Sequence, residues 1–467
     1  MESRVFSFLI AIGWIFFMPI RLLAQNPLEQ YLEEAMSQNI TLQQQQISYQ
    51  KAVLGFAMAK SYFYPSATLQ GGYQTGGGGR TIDLPIGDLL NPVYQTLNQL
   101  TQSSSFPQIQ NESITFLPVN YYDVSIKTSI PLLHTDLNHQ KALQQEQIGM
   151  TLLEIERYKR ILIQEVSIAY YQVLSAYQAT LITKSALQLA ESSEKVNVKL
   201  LESGKGLPAY VQRSKAEVAE ANHQYIHSVN QLAKAKYYFN SLLNKEAEAE
   251  INLVDPTQAE LASAMQWTEQ QALSVSKREE LALLQSILKQ RSIAIQKEKQ
   301  YVIPQVYAFG QFGAQAEGLR IHANAPYYLV GVQLEWSLFA ANRNKHKIRQ
   351  SQYEWKGSQL ALEKAKVDLQ LAAKIAFDAL QTAIAQYHSA QAQLEAASTY
   401  KRLIDKGYEA GIHSHLETLD ARNAWTRASL AEVISKFQVL IAKVTLDREL
   451  ALQDLSAYKT SKISIDE

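Results

Sequence analysis

The 467 residues contain no cysteine. This excludes disulfides, thiolate metal sites and a lipid-modified N-terminal cysteine. An excess of either charge is also missing: 44 Lys and Arg balance 44 Asp and Glu, and no basic patch stands out that would suggest nucleic acid. Beyond the N-terminus, no apolar run approaches the roughly 20 residues of a transmembrane helix. A chain of this kind stays soluble or crosses a membrane as β-strands. The common catalytic motifs are missing too. Gly76 to Gly79, followed by Arg80, lack the Lys-Ser/Thr ending of a phosphate-cradling loop. His223 and His227 are spaced i,i+4, but without the metalloprotease glutamate beside them. There is no nucleophile elbow or dinucleotide fingerprint. The many carboxylates single out no pair for acid/base work. The chain reads as a non-enzyme with no cofactor and no resident metal.

The segments that are present come in pairs. Val5 to Ile20 is apolar, and Leu22-Leu23-Ala24 precedes Gln25, so 1–24 is expected to be a cleaved signal peptide. After it, Tyr122–Ile130 aligns with Tyr328–Trp336, and Pro65–Tyr73 with Pro304–Phe312. Near the middle and the end, Gly206–Val211 aligns with Gly411–Leu416. Order and spacing persist, so the chain reads as one domain over 25–467 built from two repeats, about 28–245 and 269–456, with a connector at 246–268.

The paired strands alternate residue by residue. Tyr122, Val124, Ile126, Thr128 and Ile130 share one face, and Asp123, Ser125, Lys127 and Ser129 the other. In the second copy Tyr328, Val330, Val332, Leu334 and Trp336 continue the apolar face. Membrane strands alternate in this way over about 9–11 residues. Val124, Ile126, Val330, Val332, Leu334 and Trp336 are therefore expected to meet lipid. An Arg is expected to be costly at Val124 or Val332 and tolerated at Ser125. Four strands cannot close a barrel, and an open edge is forbidden in lipid, so this reading requires several copies. Residues 74–121, with their glycines, Asn91, Asn98 and a Gln/Ser-rich stretch, read as a long extracellular loop.

Helix breakers are scarce elsewhere. Gly149 stands alone in about 136–203 and Gly357 in about 341–406; each stretch spans roughly 100 Å if continuous. Apolar residues recur at threes and fours. One such run is Leu362, Ala365, Leu369, Ala372, Ala376, Ala379 and Ala383; another is Val211, Ser214, Val218, Ala221, Tyr225, Ser228, Leu232, Ala235 and Phe239. A third continues from Leu416 through Leu419, Asn423, Thr426 and Leu430 to Val444. This is coiled-coil spacing. Tips containing Gly204, Gly206, Gly407 and Gly411 end the long helices, and Pro208 or Ser414 can open the returning ones. Shorter helices are expected at 28–63 and 269–302.

The run Lys406-Gly407-Tyr408-Glu409-Ala410-Gly411-Ile412-His413-Ser414-His415-Leu416-Glu417-Thr418-Leu419-Asp420-Ala421 resembles the second hairpin tip of TolC-type outer-membrane efflux proteins. Gly206 to Ala216 resembles the first tip less closely. The resemblance implies a mainly α chain giving four strands to a shared twelve-stranded β-barrel in a homotrimer. Its long antiparallel helices would form a periplasmic α-barrel. It implies the outer membrane of a Gram-negative bacterium and the passive exit duct of an efflux or type I secretion system. The partners would be a periplasmic adaptor docking on the tips, an inner-membrane pump or ABC transporter, and outer-membrane lipid. It places Glu417 and Asp420 at the pore constriction. Of the family's tip lock only Tyr408 matches; Gln212 and His413 occupy the other positions. Spacing alone leaves two readings of Glu417 and Asp420, a gate or acids favoured by a helix N-terminus. His413 and His415 read as packing residues or as a metal site shared across a trimer. Two rival functions stand beside it: a soluble periplasmic coiled-coil adaptor or scaffold, and an enzyme with a helical lid.

Overall fold

The computed structural model describes residues 27–117, 119–267, 275–318 and 323–458. The expected signal peptide lies outside the described residues. Helix α1 (Pro27–Gln38) is followed by α2 (Ile40–Ser61). The two replace the single helix expected over 28–63, because the Asn39 Oδ1 accepts from the Leu42 N–H at 3.0 Å and starts a new helix. Strand β1 (Ser66–Gln74) follows.

The segment after β1 is more ordered than a polar loop. It holds a ribbon of β2 (Thr81–Leu84) and β3 (Glu112–Thr115) around α3 (Ile86–Leu100). Two asparagines fasten α3 to the returning chain. Asn91 accepts from the Ile109 N–H at 2.8 Å and donates to its carbonyl at 2.9 Å. Asn98 does the same to Phe106 at 3.1 and 2.8 Å. The composition that signals a loop here supplies side-chain amides in place of a strand partner.

Strand β4 (Tyr121–Leu133) leads into α4 (Thr135–Glu202), and α5 (Pro208–Leu242) returns. Then come α6 (Gln258–Met265), α7 (Glu279–Lys299), β5 (Gln305–Glu317) and β6 (Pro326–Glu335). The last pair is α8 (Arg343–Glu409) and α9 (His415–Glu449). The long helices hold 68 and 67 residues and continue without interruption past Gly149 and Gly357. A mid-helix glycine costs about 1 kcal/mol, less than burying one large seam residue contributes. Each rises about 100 Å. The returning helices hold 35 residues each.

The chain forms two compact units. One comprises the described residues up to Lys51, Ile148–Leu288 and those from Lys356 onward. Its core follows the helical seams. Val211, Ser214, Ser228 and Phe239 are buried on α5, as expected. On α8 the buried row is Ala373, Ala376, Leu380, Ala383 and Tyr387, and Ala379 is exposed. On α9 His415, Thr418 and Leu419 are buried, while Leu416 and Asn423 face out. A fixed three-four count drifts around a helix of 3.6 residues per turn, so the inward row moves by one residue over these lengths. Tyr31, Tyr170 and Phe239 form an aromatic cluster with ring centres 5.0–5.9 Å apart. The Tyr170 hydroxyl donates to the Asn252 carbonyl and accepts from the Val254 N–H, both at 3.2 Å. This pins the connector, which also contains α6 with a Thr257–Glu260 capping box. Arg278, 3% exposed, binds Glu280 and Glu449 at 2.8 and 2.6 Å. Arg160 binds Glu279 at 2.5 Å. Together these ion pairs tie the start of α7 to α9 and α4.

The other unit, Ala52–Gln147 and Lys289–Trp355, holds an antiparallel sheet in the order β1-β4-β5-β6. Its register aligns Leu69, Ile126, Phe312 and Tyr328 in one row across all four strands. Every member of the row is exposed, as are Val124, Val330, Val332 and Leu334. The opposite face carries a polar chain: Tyr327 donates to Asp123, and Gln311 donates to Tyr327 and Ser125, each at 2.9 Å. Two expectations need correction. Trp336 lies one residue past β6 and donates its indole N–H to the Val302 carbonyl at 3.1 Å. Ser125 is only 3% exposed, and a side chain on its neighbour Gly313 would lie 2.6 Å from its Cβ. An Arg at Ser125 therefore has no room and would break the polar chain. Among the described residues, β1 and β6 each have one edge without a strand partner.

Candidate functional site at the helical tips

Both hairpins turn by the same device. In the first, Gly204 has φ +73° and the Lys205 N–H reaches back to the Leu200 carbonyl at 2.9 Å. In the second, Gly411 has φ +75° and the Ile412 N–H reaches the Gly407 carbonyl at 2.8 Å. A glycine in the left-handed conformation with this backward bond is a Schellman cap. Gly204 is thus the counterpart of Gly411, and the alignment that pairs Gly206 with Gly411 is two residues out of register. Gly206 is needed for a different reason: a Cβ there would lie 2.7 Å from the Leu201 nitrogen. At Gly407 a Cβ would overlap the His413 imidazole. Leu207, Ile412 and Leu416 stand exposed around the turns.

Ser414 caps α9. Its hydroxyl accepts from the Glu417 N–H, and Glu417 returns the contact by accepting from the Ser414 N–H at 2.7 Å. Glu417 also accepts from the Ser414 hydroxyl at 2.9 Å and lies 3.3 Å from His413 Nδ1. The two Ser414 bonds, then His413, hold its carboxyl below the usual range. Glu417 and Asp420 are both exposed, whereas His415, Thr418 and Leu419 turn inward. The helix-start reading of Glu417 is thus realised within one chain, and both acids remain free to face an axis.

Gln212, Tyr408 and His413 are not brought together. Gln212 is exposed on α5. His413 faces Glu417, and the Tyr408 ring lies 6.2 Å from that of His415. His415 and Asn197 are instead the centre of the tip region. His415 is 6% and Asn197 3% exposed, and the Asn197 amide donates to His415 Nε2 at 2.9 Å. The same amide reaches the Ser214 hydroxyl at 3.4 Å, and the Tyr210 ring lies 5.7 Å from the imidazole. One buried cluster therefore links α4, α5, α8 and α9. Burial, and then the Arg422 charge, push the His415 imidazole below its ordinary value, which suits a neutral ring accepting from Asn197. Farther up the hairpin, Thr183 and Ser228 make a 2.7 Å buried bond, separated from Asn197–Ser214 by the same interval on both helices. The signal for these pairs was a polar residue at seam spacing, which marks a position but names no partner. A groove of about 300 Å³ between α4, α5 and α9, lined by Arg213, Glu217, Glu220 and Arg422, opens beside them.

The metal readings gain no support from geometry. His413 and His415 face different partners. His223 and His227 are exposed, with ring centres 6.5 Å apart. Among the described residues, no group of three His, Asp or Glu converges to hold a metal.

Residues 297–451 match the family model of the outer membrane efflux protein. The chain is similar in structure to CusC, at 14% identity with TM-score 0.72, covering 91% of this chain and 92% of that one. It is similar to the outer membrane protein VceC of Vibrio cholerae, at 13% identity with TM-score 0.69 and coverage of 91% and 95%. The same holds for the CmeC outer membrane channel of Campylobacter jejuni, at 13% identity with TM-score 0.69 and coverage of 91% and 85%. No curated protein matches the sequence. The chain shares the fold of these solved channels, and its family match is confined to residues 297–451.

Proposed function

We propose that this chain is an outer membrane efflux protein, the passive exit duct of a tripartite efflux or type I secretion system. Three copies would join their sheets into one twelve-stranded barrel in the outer membrane. Their long helices would line a periplasmic tunnel. The observation that carries the reading is the sheet. An apolar row crosses all four strands on one face, a polar chain runs along the other, and both edges lack a partner. Lipid forbids such edges, and a second copy removes them. No helix among the described residues is long and apolar enough to cross a membrane. The apolar tips at Leu207, Ile412 and Leu416 suit docking by a periplasmic adaptor, itself coupled to an inner-membrane pump that supplies the energy. Glu417 and Asp420 would gather around the three-fold axis as the constriction, and charged rings in a constriction select ions by sign. In this reading the chain is one channel domain built from two repeats, about 28–245 and 269–456, joined by the connector 246–268. Membrane fractionation followed by native mass measurement in detergent tests the proposal. A detergent-requiring trimer is expected; a monodisperse monomer in plain buffer would overturn it.

A further inference from the structure

Helix α8 starts against the rule for helix ends. A helix N-terminus carries partial positive charge and favours acids. α4 obeys with Asp136 in its first turn. α8 begins Arg343-Asn344-Lys345-His346-Lys347-Ile348-Arg349 and has no acid in its first turn. No Asp or Glu occurs from Trp336 to Tyr353. Unbalanced local features of this kind collect at functional places.

Helical spacing divides the cations. Lys345 and Arg349 are i,i+4 neighbours on one side. There they line an open cavity of about 500 Å³ with Tyr301, Ser337, Leu338 and Phe339. Both cations are exposed, and neither has a hydrogen-bond or ion-pair partner among the described residues. Leu338 and Phe339, directly after β6, are 77% and 87% exposed. The chain thus leaves the membrane strand, presents two apolar side chains, and then presents two unpaired cations. That order matches a bilayer, with acyl chains followed by headgroups.

We propose that this cavity binds the phosphate of an anionic phospholipid in the inner leaflet of the outer membrane. Lys345 and Arg349 hold the phosphate. Leu338, Phe339 and Tyr301 lie along the acyl chains. The inference rests on the membrane-spanning reading of the sheet. The competing occupant is a second copy of the chain, since barrel closure would set β1 beside β6. The β1 region of that copy supplies no counter-charge, because residues 35–82 contain no Asp or Glu. Lipid phosphate does.

Each basic residue at an anionic bilayer surface gives about a fivefold preference, so the pair gives about 30-fold. The test is native mass spectrometry of the full chain in detergent, titrated with phosphatidylglycerol or with phosphatidylcholine of the same tails. The wild type is expected to retain phosphatidylglycerol in preference. K345Q/R349Q is expected to lower that preference about 30-fold. R343Q/K347Q, on the other side of the helix, and the charge-keeping K345R/R349K are expected to retain it. Unchanged preference in K345Q/R349Q, equal losses in the two neutralised pairs, or dissociation of the trimer by K345Q/R349Q alone would each overturn the site. The same spectra separate the two proposals. A wild-type trimer without lipid preference removes only this site, whereas a wild-type monomer removes the channel reading beneath it.

Discussion

Arginine at Val330 tests the orientation of the sheet most directly. Val330 lies in the middle of β6, is 76% exposed, and pairs with Gly310, which has no side chain to meet an introduced guanidinium. At the bilayer midplane such a residue costs about 2–4 kcal/mol, falling to about 0–1 near the interfaces. Val330→Arg is thus expected to lose about 2–4 kcal/mol, a factor of about 30 or more in the folding equilibrium. Leu334→Arg, at the end of the same strand that leads toward α8, is expected to lose about 0–1 kcal/mol. Gln70 is exposed and pairs with Ser125, on the polar face. Gln70→Arg is expected to stay within about 0.5 kcal/mol of wild type. Ser125 itself is unsuitable as the polar-face probe, because it is buried against Gly313. Urea titration of chain refolded into lipid vesicles, followed by tryptophan fluorescence, measures all three. Equal losses at Val330 and Gln70, or a larger loss at Leu334 than at Val330, would refute the assignment of faces.

Three further outcomes are expected. Gly411→Trp places a large side chain at φ +75° on the exposed tip; trimer and barrel should survive while export and adaptor crosslinking are lost, and normal export would remove the tip from the partner interface. E417Q/D420N removes both charges while Gln keeps the capping box; planar-bilayer recording should show weaker cation selectivity and relief of block by trivalent cations, and wild-type behaviour would exclude both residues from the gate. His415 has its pKa lowered in the folded chain, so the unfolded chain takes up the proton first as pH falls. The stability held above pH about 6.5 should therefore decline from there down to the depressed folded value. Thermal melting against pH should show this decline in the wild type and lose it in His415→Gln; an unchanged profile in the variant would clear His415 of the effect.

Much of this protein is local in origin and legible in its sequence. Period-two alternation marks the strands and the face each side chain takes, because a strand has only two faces. Glycine at 204 and 411, with Pro208 and Ser414 after them, marks the tips, because left-handed backbone and helix starts favour few residue types. Scarcity of breakers marks the long helices, and the α5 seam was read correctly along its length. What tertiary structure decided is which elements meet. The inward row of α8 moves from Ala379 to Leu380 because a helix of 3.6 residues per turn drifts off a fixed three-four count, and the neighbours it packs against choose the buried face. Asn91 and Asn98 read as loop residues until the chain at Phe106 and Ile109 comes back beside them. Ser125 reads as an open polar-face position, and only pairing with β5 brings Gly313 against it. Asn197 and His415 stand far apart in the chain, and neither is informative alone. Their meeting follows from packing two hairpins side by side, a long-range arrangement that residue spacing within either hairpin does not encode.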